Sequence, residues 1–235
     1  MERGGGNEFC AEALRDFNCA GFLLGGTGVQ MGGWFRNEVR GLPDVNGLKF
    51  RIAGMGGQIF RRLGAVPALI AGTDVYPSLE RGVIDAAEWV GPYDDEKLGF
   101  QRVARFYYAP SFWEPCARPP AGQPARLGPA AGRLQIRPPG RLHRGRTGDD
   151  GALRPAEPAR AQALDSGRRA ARAWPREVMQ AGWRAGHEIM EEHASRNARF
   201  KRIWESYKPF RDDQFQWFRV AENAYDNFAF TAAAR

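Results

Sequence analysis

The chain has 235 residues, of which 43% are apolar, 26% charged and 12% aromatic. This composition predicts one large or two small folded domains and excludes disorder along the whole chain. No apolar run approaches the roughly 18–20 residues that a membrane span requires.

The net charge of +7 comes from one segment, residues 117–173. That segment contains twelve Arg, four acidic residues and no Lys, so it carries +8 and the rest of the chain carries −1. Ala, Arg, Pro and Gly fill 41 of its 57 positions, and it has no aromatic residue. Such a segment cannot bury enough apolar surface to offset its ordering entropy. We therefore predict a disordered or loosely helical segment that separates residues 1–116 from residues 174–235.

Two explanations account for residues 117–173. A basic linker of this kind would bind the phosphates of a nucleic acid, which makes a nucleic-acid-binding protein the alternative function. The other explanation is translation in the wrong reading frame, because Ala, Arg, Pro and Gly have codons rich in G and C. The flanking residues use Lys, Phe, Tyr and Asp normally. The frameshift is the favoured explanation.

Residues 1–116 alternate predicted strands and helices, which is the pattern of an α/β fold with a mixed sheet covered by helices. Apolar runs and period-two alternation predict strands at Leu48–Ala53, Val66–Ile70, Val83–Trp89 and Arg105–Ala109, the second of them buried. Helices are predicted at 56–63 and 73–81, each followed by a glycine, Gly64 or Gly82.

Residues 174–235 form a predicted helical region. Pro175 and Glu177 suit the start of a helix that runs to about Ser195. A second helix is predicted at 197–207 and ends because Pro209 follows. A third, at 211–230, places a row of apolar residues on one face.

Three places could carry chemistry. The glycine-rich stretch Gly25–Phe35 is either a loop that a ligand approaches closely or a turn before an aromatic core residue. Arg51 lies in an otherwise apolar strand, where it either faces solvent or presents its planar guanidinium to a carboxylate. Glu88 and Trp89 end a predicted strand, where α/β sheets bind ligands, or are simply a surface Glu and a core Trp.

The cysteines, the candidate nucleophiles and the other acidic residues predict no catalytic or metal site. Cys10, Cys19 and Cys116 form no Cys-x-x-Cys pair, so neither a zinc site nor a disulfide framework is expected. No nucleophile and base stand at a recognisable spacing, and no enzymatic activity is predicted. The run 94–96 is predicted to be a solvated helix start. A weaker alternative, in which Asp85, Glu88 and Asp94 form a hydrolase metal cluster, lacks an ordered base.

Several motifs resemble those of one transport family. Thr27-Gly28-Val29-Gln30-Met31-Gly32-Gly33-Trp34-Phe35, Leu48–Ile52 and Leu63–Pro67 are similar to signatures of the periplasmic solute-binding proteins of tripartite ATP-independent (TRAP) transporters. The run Glu88-Trp89-Val90-Gly91-Pro92-Tyr93-Asp94-Asp95 resembles the subgroup that binds 2-oxo acids and related monocarboxylates. Residues 210–222 resemble that subgroup's C-terminal helix. The resemblance covers about 20–116 and 174–230.

The resemblance implies a fold and a site. The fold would be a two-lobe, periplasmic-binding-protein-like α/β structure, here incomplete, with a C-terminal helical region. Arg51 matches the arginine that grips the substrate carboxylate, and Gln30 matches a glutamine beside it. Glu88 and the Trp89 carbonyl match positions that bind sodium or calcium bridging to the substrate, with Gln30 as a further ligand. Glu114 is a weaker candidate for the same site.

The resemblance also implies partners, and the chain differs from the family in three places. A small monocarboxylate such as pyruvate, the TRAP membrane subunits and a homodimer formed through the C-terminal helix are expected, in the periplasm and without nucleic acid. Met1–Gly6 shows no apolar core of a signal peptide. Much of the first lobe is missing, and the resemblance lapses after Cys116 and returns at Pro175. We therefore expect an N-terminally truncated, defective fragment with 117–173 out of frame.

Overall fold

The computed structural model describes residues 5–19, 30–113 and 171–233. The chain divides into a sheet-bearing unit, residues 21–186, and a helical unit that combines residues 1–20 with 187–235. Among the described residues, no helix combines the length and the apolar character needed to cross a lipid bilayer.

In the part of the chain that the structure describes, the sheet has six strands, which are β1 (Gly33–Phe35), β2 (Lys49–Arg51), β3 (Val66–Ala68), β4 (Ala86–Ala87), β5 (Phe106–Ala109) and β6 (Ala171–Ala173). Their order across the sheet is β3-β2-β4-β1-β5-β6. Strand β1 runs antiparallel to both of its neighbours, whereas β2 is parallel to β3 and β4, and β5 is parallel to β6. The sheet is therefore mixed, as the sequence predicted.

Short helices connect the strands and cover the sheet. They are a 3₁₀ helix (Leu42–Val45), α2 (Gly54–Arg62), α3 (Gly72–Glu80), α4 (Pro92–Lys97) and α5 (Phe100–Val103), numbered after α1 (Gly6–Arg15). A long helix, α6 (Arg176–Arg196), follows β6 and begins within this unit.

Strand β1 shows how the sheet separates two apolar layers. Because successive side chains of a strand point to opposite faces, Trp34 and Phe35 enter different clusters. Phe35 packs with Phe50 and Trp174, whereas Trp34 stacks on Tyr107 with ring centroids 4.1 Å apart. Both faces of the central strand are thus buried, which explains why its sequence does not alternate between apolar and polar residues.

Most predicted elements of residues 1–116 are confirmed as β2, α2, β3, α3, β4 and β5 in that order. The prediction that Val66–Ile70 is buried is wrong, because Val66 and Leu69 are exposed and β3 is the edge strand of the described part of the sheet. Strand β1 was not predicted. Strand β6 occupies the last three residues of the segment 117–173, so the disordered or loosely helical structure predicted there is wrong for residues 171–173. The rest of that prediction falls on residues 114–170, which lie outside the described residues.

The helical unit contains α1, the part of α6 from His187 onward, α7 (Ala198–Val220) and α8 (Glu222–Ala233). The predicted break at Pro209 is wrong, because α7 continues through it. Proline fits the helical φ angle and removes a single backbone donor, which a 23-residue helix tolerates. The break falls at Ala221 instead, so the predicted single helix 211–230 belongs to two helices.

Helix α1 is attached within the helical unit by ion pairs. The Arg199 guanidinium lies 2.7 Å from an Asp16 carboxylate oxygen and 3.4 Å from one of Glu12. The hydrogen bond from Arg199 lowers the pKa of Asp16 below its ordinary value. These pairs are exposed, so each contributes little to stability.

Gly33 is the glycine on which the centre of the sheet depends. Its φ is +107°, which strains any residue with a Cβ, and a Cβ there would lie 2.7 Å from the Ala87 carbonyl oxygen. That neighbour is backbone of the adjacent strand and cannot rotate away. A side chain at this position would therefore separate β1 from β4.

We expect Gly33→Ala to destabilise the sheet-bearing unit by about 2–4 kcal/mol, combining backbone strain with the clash. Gly47→Ala is the matched control, because Gly47 also has a positive φ but its Cβ would meet nothing within 4 Å. Gly47→Ala should lower the free energy of unfolding by the backbone strain alone, about 1–2 kcal/mol. Chemical denaturation followed by circular dichroism measures both, and equal losses would contradict the role given to the Ala87 contact.

Candidate functional site

Three of the predicted site residues lie where neighbouring strands end, on the same side of the sheet. Arg51 is the last residue of β2, and Glu88 follows directly after β4. Because these two strands are adjacent and parallel, their carboxyl ends lie side by side. Strand β1 is antiparallel to β4, so Gln30, which precedes β1, lies next to the same strand ends.

The Arg51 side chain is fixed by backbone oxygens. Its Nη1 donates to the Glu88 carbonyl oxygen at 2.7 Å, and its Nε donates to the Ile70 carbonyl oxygen at 3.3 Å. The guanidinium also lies over the Trp89 ring, 4.7 Å from its centroid. Within the described residues no acceptor binds Nη2, so this nitrogen can donate to a ligand. Arg51 is thus held in place by the protein with part of its fork still available.

Arg51 and Glu88 form a buried ion pair. The Nη1 of Arg51 lies 3.7 Å from Oε2 of Glu88, and their side chains are only 12% and 8% exposed. Burial lowers the pKa of Arg51 from its ordinary value, and the Glu88 carboxylate partly offsets this. The expectation that Arg51 simply faces solvent, or that Glu88 is a surface residue, does not fit these exposures.

The Trp89 carbonyl oxygen receives no hydrogen bond from the residues that the structure describes. In a regular β1–β4 ladder this oxygen would pair with the Gly32 amide. The Gly32 amide instead donates to Tyr108 of β5 at 2.7 Å, and the Met31 amide donates to the Val90 carbonyl at 2.9 Å. The irregular backbone around Gly33 thus leaves a backbone acceptor next to the buried ion pair.

Gln30 is connected to the segment after β4 and to the segment after β5 through backbone hydrogen bonds. Its neighbour Met31 is bonded to Val90, and its own carbonyl oxygen accepts the Ser111 amide at 3.1 Å. Its backbone is therefore attached both to the segment after β4 and to the segment after β5. Glu114, the weaker candidate, lies outside the described residues, as do Thr27, Gly28 and Val29.

Asp95 is a buried residue of this region that the sequence did not single out. The sequence predicted a solvated helix start at 94–96, whereas Asp95 is 1% exposed. It accepts hydrogen bonds from the Val90 amide, the Trp34 indole and the Tyr107 hydroxyl. No sequence signal distinguishes it from the adjacent Asp94, because the three donors come from distant strands and a loop.

The oxygen donors of Glu88, Trp89 and Gln30 are of the types that suit a hard cation. A carboxylate (Glu88), an unbonded backbone carbonyl (Trp89) and a side-chain amide (Gln30) are the donor types that sodium and calcium ions prefer. Within the described residues, no three His, Cys, Asp or Glu side chains are grouped closely enough to hold a metal ion. The alternative cluster of Asp85, Glu88 and Asp94 is therefore not assembled, and Asp85 instead caps the Lys49 amide.

Comparison with protein families assigns the N-terminal half of the chain. Residues 7–116 match the family described as bacterial extracellular solute-binding protein, family 7 (DctP). The chain is 40% identical over 237 residues to a monocarboxylate 2-oxoacid-binding periplasmic protein of Nostoc sp. (strain PCC 7120). This alignment covers 97% of the chain and 63% of the relative, so the chain spans less than two thirds of that protein's length.

Solved structures give the same assignment. A TRAP transporter solute-binding protein of Bordetella bronchiseptica is 39% identical, with a TM-score of 0.81 over 99% of this chain and 69% of its own. It is a mixed-occupancy dimer with calcium and picolinate in one active site and an apo second site. A TRAP periplasmic solute-binding protein of Pseudoalteromonas atlantica, with bound sodium and pyruvate, is 30% identical, with a TM-score of 0.73 over 94% and 68% of the two chains.

Proposed function

The chain belongs to the family of TRAP transporter solute-binding proteins, and we propose that it is a periplasmic receptor for a small 2-oxo acid such as pyruvate, which it delivers to TRAP membrane subunits. The observation that carries this proposal is the buried Arg51–Glu88 pair beside the unbonded Trp89 carbonyl. The family consists of binding proteins rather than enzymes, in agreement with the expectation of a non-enzymatic function.

Arg51 supplies the recognition of a carboxylate. Its guanidinium is already oriented by two backbone carbonyls and the Trp89 ring, so little conformational entropy is lost when a ligand binds. The free Nη2 can donate a charge-assisted hydrogen bond to a carboxylate oxygen. Recognition by a fixed, partly buried cation favours small acids over neutral solutes.

Charge balance explains why a metal ion belongs to the proposed site. The Arg51–Glu88 pair is neutral overall, so a carboxylate ligand would bring an uncompensated negative charge into a region with little water. Burying an unpaired charge is costly. A sodium ion held by Glu88, the Trp89 carbonyl and Gln30 would neutralise that charge and bridge to the ligand, and a calcium ion there would compensate it with one positive charge to spare.

The relatives' ligands support a 2-oxo acid. Picolinate and pyruvate, named for the two structures described above, each carry a carboxylate next to a second donor atom. Such molecules chelate a cation through both atoms, whereas a simple fatty acid cannot. The Nostoc relative is named for 2-oxoacids as well.

Calorimetry on this chain tests the proposal. Pyruvate should bind in the presence of calcium or sodium, and binding should weaken when EDTA removes calcium and choline replaces sodium. Propionate is the matched control ligand, because it retains the carboxylate and the chain length but lacks the 2-oxo group, and it should bind more weakly. Equal affinities for pyruvate and propionate, or no heat with either cation, would contradict the proposed function.

We also propose that two copies of the chain associate through the C-terminal helices. Helices α7 and α8 carry large apolar side chains that are 47–71% exposed: Tyr207, Phe210, Phe215, Trp217, Phe218, Val220, Tyr225 and Phe228. Large apolar side chains exposed in this number are typical of a protein interface. A second copy is the occupant that the dimeric Bordetella relative supports.

The double variant Trp217→Glu/Phe218→Glu should therefore shift the protein toward monomer by at least about tenfold in dissociation constant, since a few aromatic residues commonly dominate interface energies. Light scattering over a concentration series measures this. Phe17→Glu is the control, because Phe17 is also an exposed aromatic residue but lies after α1. A wild-type chain that stays monomeric at high concentration would contradict the proposal.

A further inference from the structure

We propose that Asp95 is a positioning residue that aims the Trp89 carbonyl oxygen into the site. Asp95 lies in the first turn of α4 and is buried. One of its oxygens, Oδ1, accepts the Val90 amide at 3.2 Å. The other, Oδ2, accepts the Trp34 indole N–H at 3.1 Å and the Tyr107 hydroxyl at 2.9 Å. This inference rests on the proposed function, in which the Trp89 carbonyl binds a cation.

The Val90 amide and the Trp89 carbonyl belong to the same peptide unit. This peptide bond is trans. In a planar trans unit the N–H and the C=O point in opposite directions. By binding the N–H, Asp95 therefore directs the carbonyl oxygen away from itself.

The remaining contacts make Asp95 a rigid anchor for that peptide. Trp34 and Tyr107 pair across β1 and β5, and their rings stack at an interplanar angle of 18°. Both donate to the same Asp95 oxygen, so the carboxylate is attached to two central strands. On either side of Trp89, the Glu88 amide donates to the Arg51 carbonyl and the Val90 carbonyl accepts the Met31 amide. The segment that carries two of the proposed ligands is thus fixed on both sides.

Asp95 also affects the strength of the ligand oxygen. A hydrogen bond from an amide to a carboxylate polarises the whole peptide unit and increases the partial negative charge on its carbonyl oxygen. An amide side chain at position 95 would remove the full charge. It would also place an N–H group opposite the donors that now share the carboxylate.

The variant Asp95→Asn tests this inference. We expect the affinity for calcium, measured by calorimetry with saturating pyruvate, to fall about 10–100-fold, the usual cost of losing a residue that orients a metal ligand. Asp85→Asn is the matched control. Asp85 likewise accepts a backbone amide, that of Lys49 at 3.0 Å, but at the amino end of β4, away from the site. Its calcium affinity should stay within about twofold of wild type. Equal losses in both variants, or no loss in Asp95→Asn, would overturn the proposal.

Amide hydrogen exchange of the ligand-free wild-type protein gives a second readout that needs neither ligand binding nor a folded variant. The Val90 amide should be protected, and rapid exchange there would overturn the anchoring role. If wild-type protein binds neither pyruvate nor calcium, the proposed function fails, and the assignment of Asp95 to a cation site fails with it. A protected Val90 amide would then leave only the structural anchor. The two failures are therefore distinguishable.

Discussion

Replacing Arg51 with lysine is expected to weaken pyruvate binding about 100-fold while leaving the chain folded. Lysine keeps the charge but has no planar fork, so it cannot contact the Glu88 and Ile70 carbonyls and a ligand carboxylate at once. Hydrogen bonds to charged groups contribute about 1.5–3 kcal/mol each, which corresponds to about 10–150-fold in affinity. The lysine ammonium would also lose the flat contact with the Trp89 ring.

Arg36→Lys provides the matched control for this measurement. Arg36 pairs with Asp85 at a distance of 4.0 Å and is more exposed than Arg51, so its replacement removes a weak surface pair. Calorimetry with pyruvate and calcium should show wild-type affinity for Arg36→Lys and strongly reduced affinity for Arg51→Lys. An Arg51→Lys variant that binds as the wild type does would remove Arg51 from the proposed carboxylate site.

The sequence predicted the order of elements in the sheet-bearing unit because local signals specify it. The alternation of apolar residues around Phe50 and the glycines that follow α2 and α3 mark strands and helix ends without reference to the rest of the chain. Both of these glycines, Gly64 and Gly82, have a positive φ. The same signals could not say which strand lies at an edge. Val66 was therefore predicted to be buried, although among the described strands β3 has a neighbour on one side only.

Errors in the helical region have a different origin. Proline predicts the end of a helix because it removes one backbone hydrogen bond. A long helix can tolerate the loss of one such bond, and α7 continues past Pro209. The break at Ala221 has no comparable signal, because alanine is the best helix former. Its unusual backbone angles, φ −91° and ψ −83°, are visible only in the structure.

The residues of the candidate site were predicted partly from their types and positions and partly from the family resemblance. Arg51 was singled out as a charged residue in an apolar strand, and Glu88 and Trp89 as the end of a predicted strand. The structure brings the three side chains together. Which backbone oxygens hold Arg51 could not be predicted, since the contact with Ile70 depends on β3 lying beside β2. Asp95 was missed for the same reason, because burial of an acidic residue follows from donors that are 12 and 61 residues away.

Replacing Glu88 with glutamine should abolish the dependence of pyruvate binding on calcium or sodium. The substitution removes the charged ligand of the proposed cation, which is the group that a hard ion binds most strongly. It also removes repulsion between Glu88 and the ligand carboxylate. At a separation of about 4 Å that repulsion ranges from about 1 kcal/mol in water to about 4 kcal/mol at an effective dielectric constant of 20. Cation-free affinity should therefore be maintained or increase, while the gain from adding calcium disappears.

The control for Glu88→Gln is Glu38→Gln, which removes a carboxylate that pairs with Arg40 and Arg172. That variant should keep the full response to calcium. Arg51 remains protonated at neutral pH in Glu88→Gln even though its partner is gone, because a guanidinium does not lose its proton in proteins. Loss of the calcium response therefore reports on the cation site and not on the charge of Arg51. If Glu88→Gln responded to calcium as strongly as wild type does, the cation would have to bind without the Glu88 carboxylate, and the charge-balance argument for the site would be wrong.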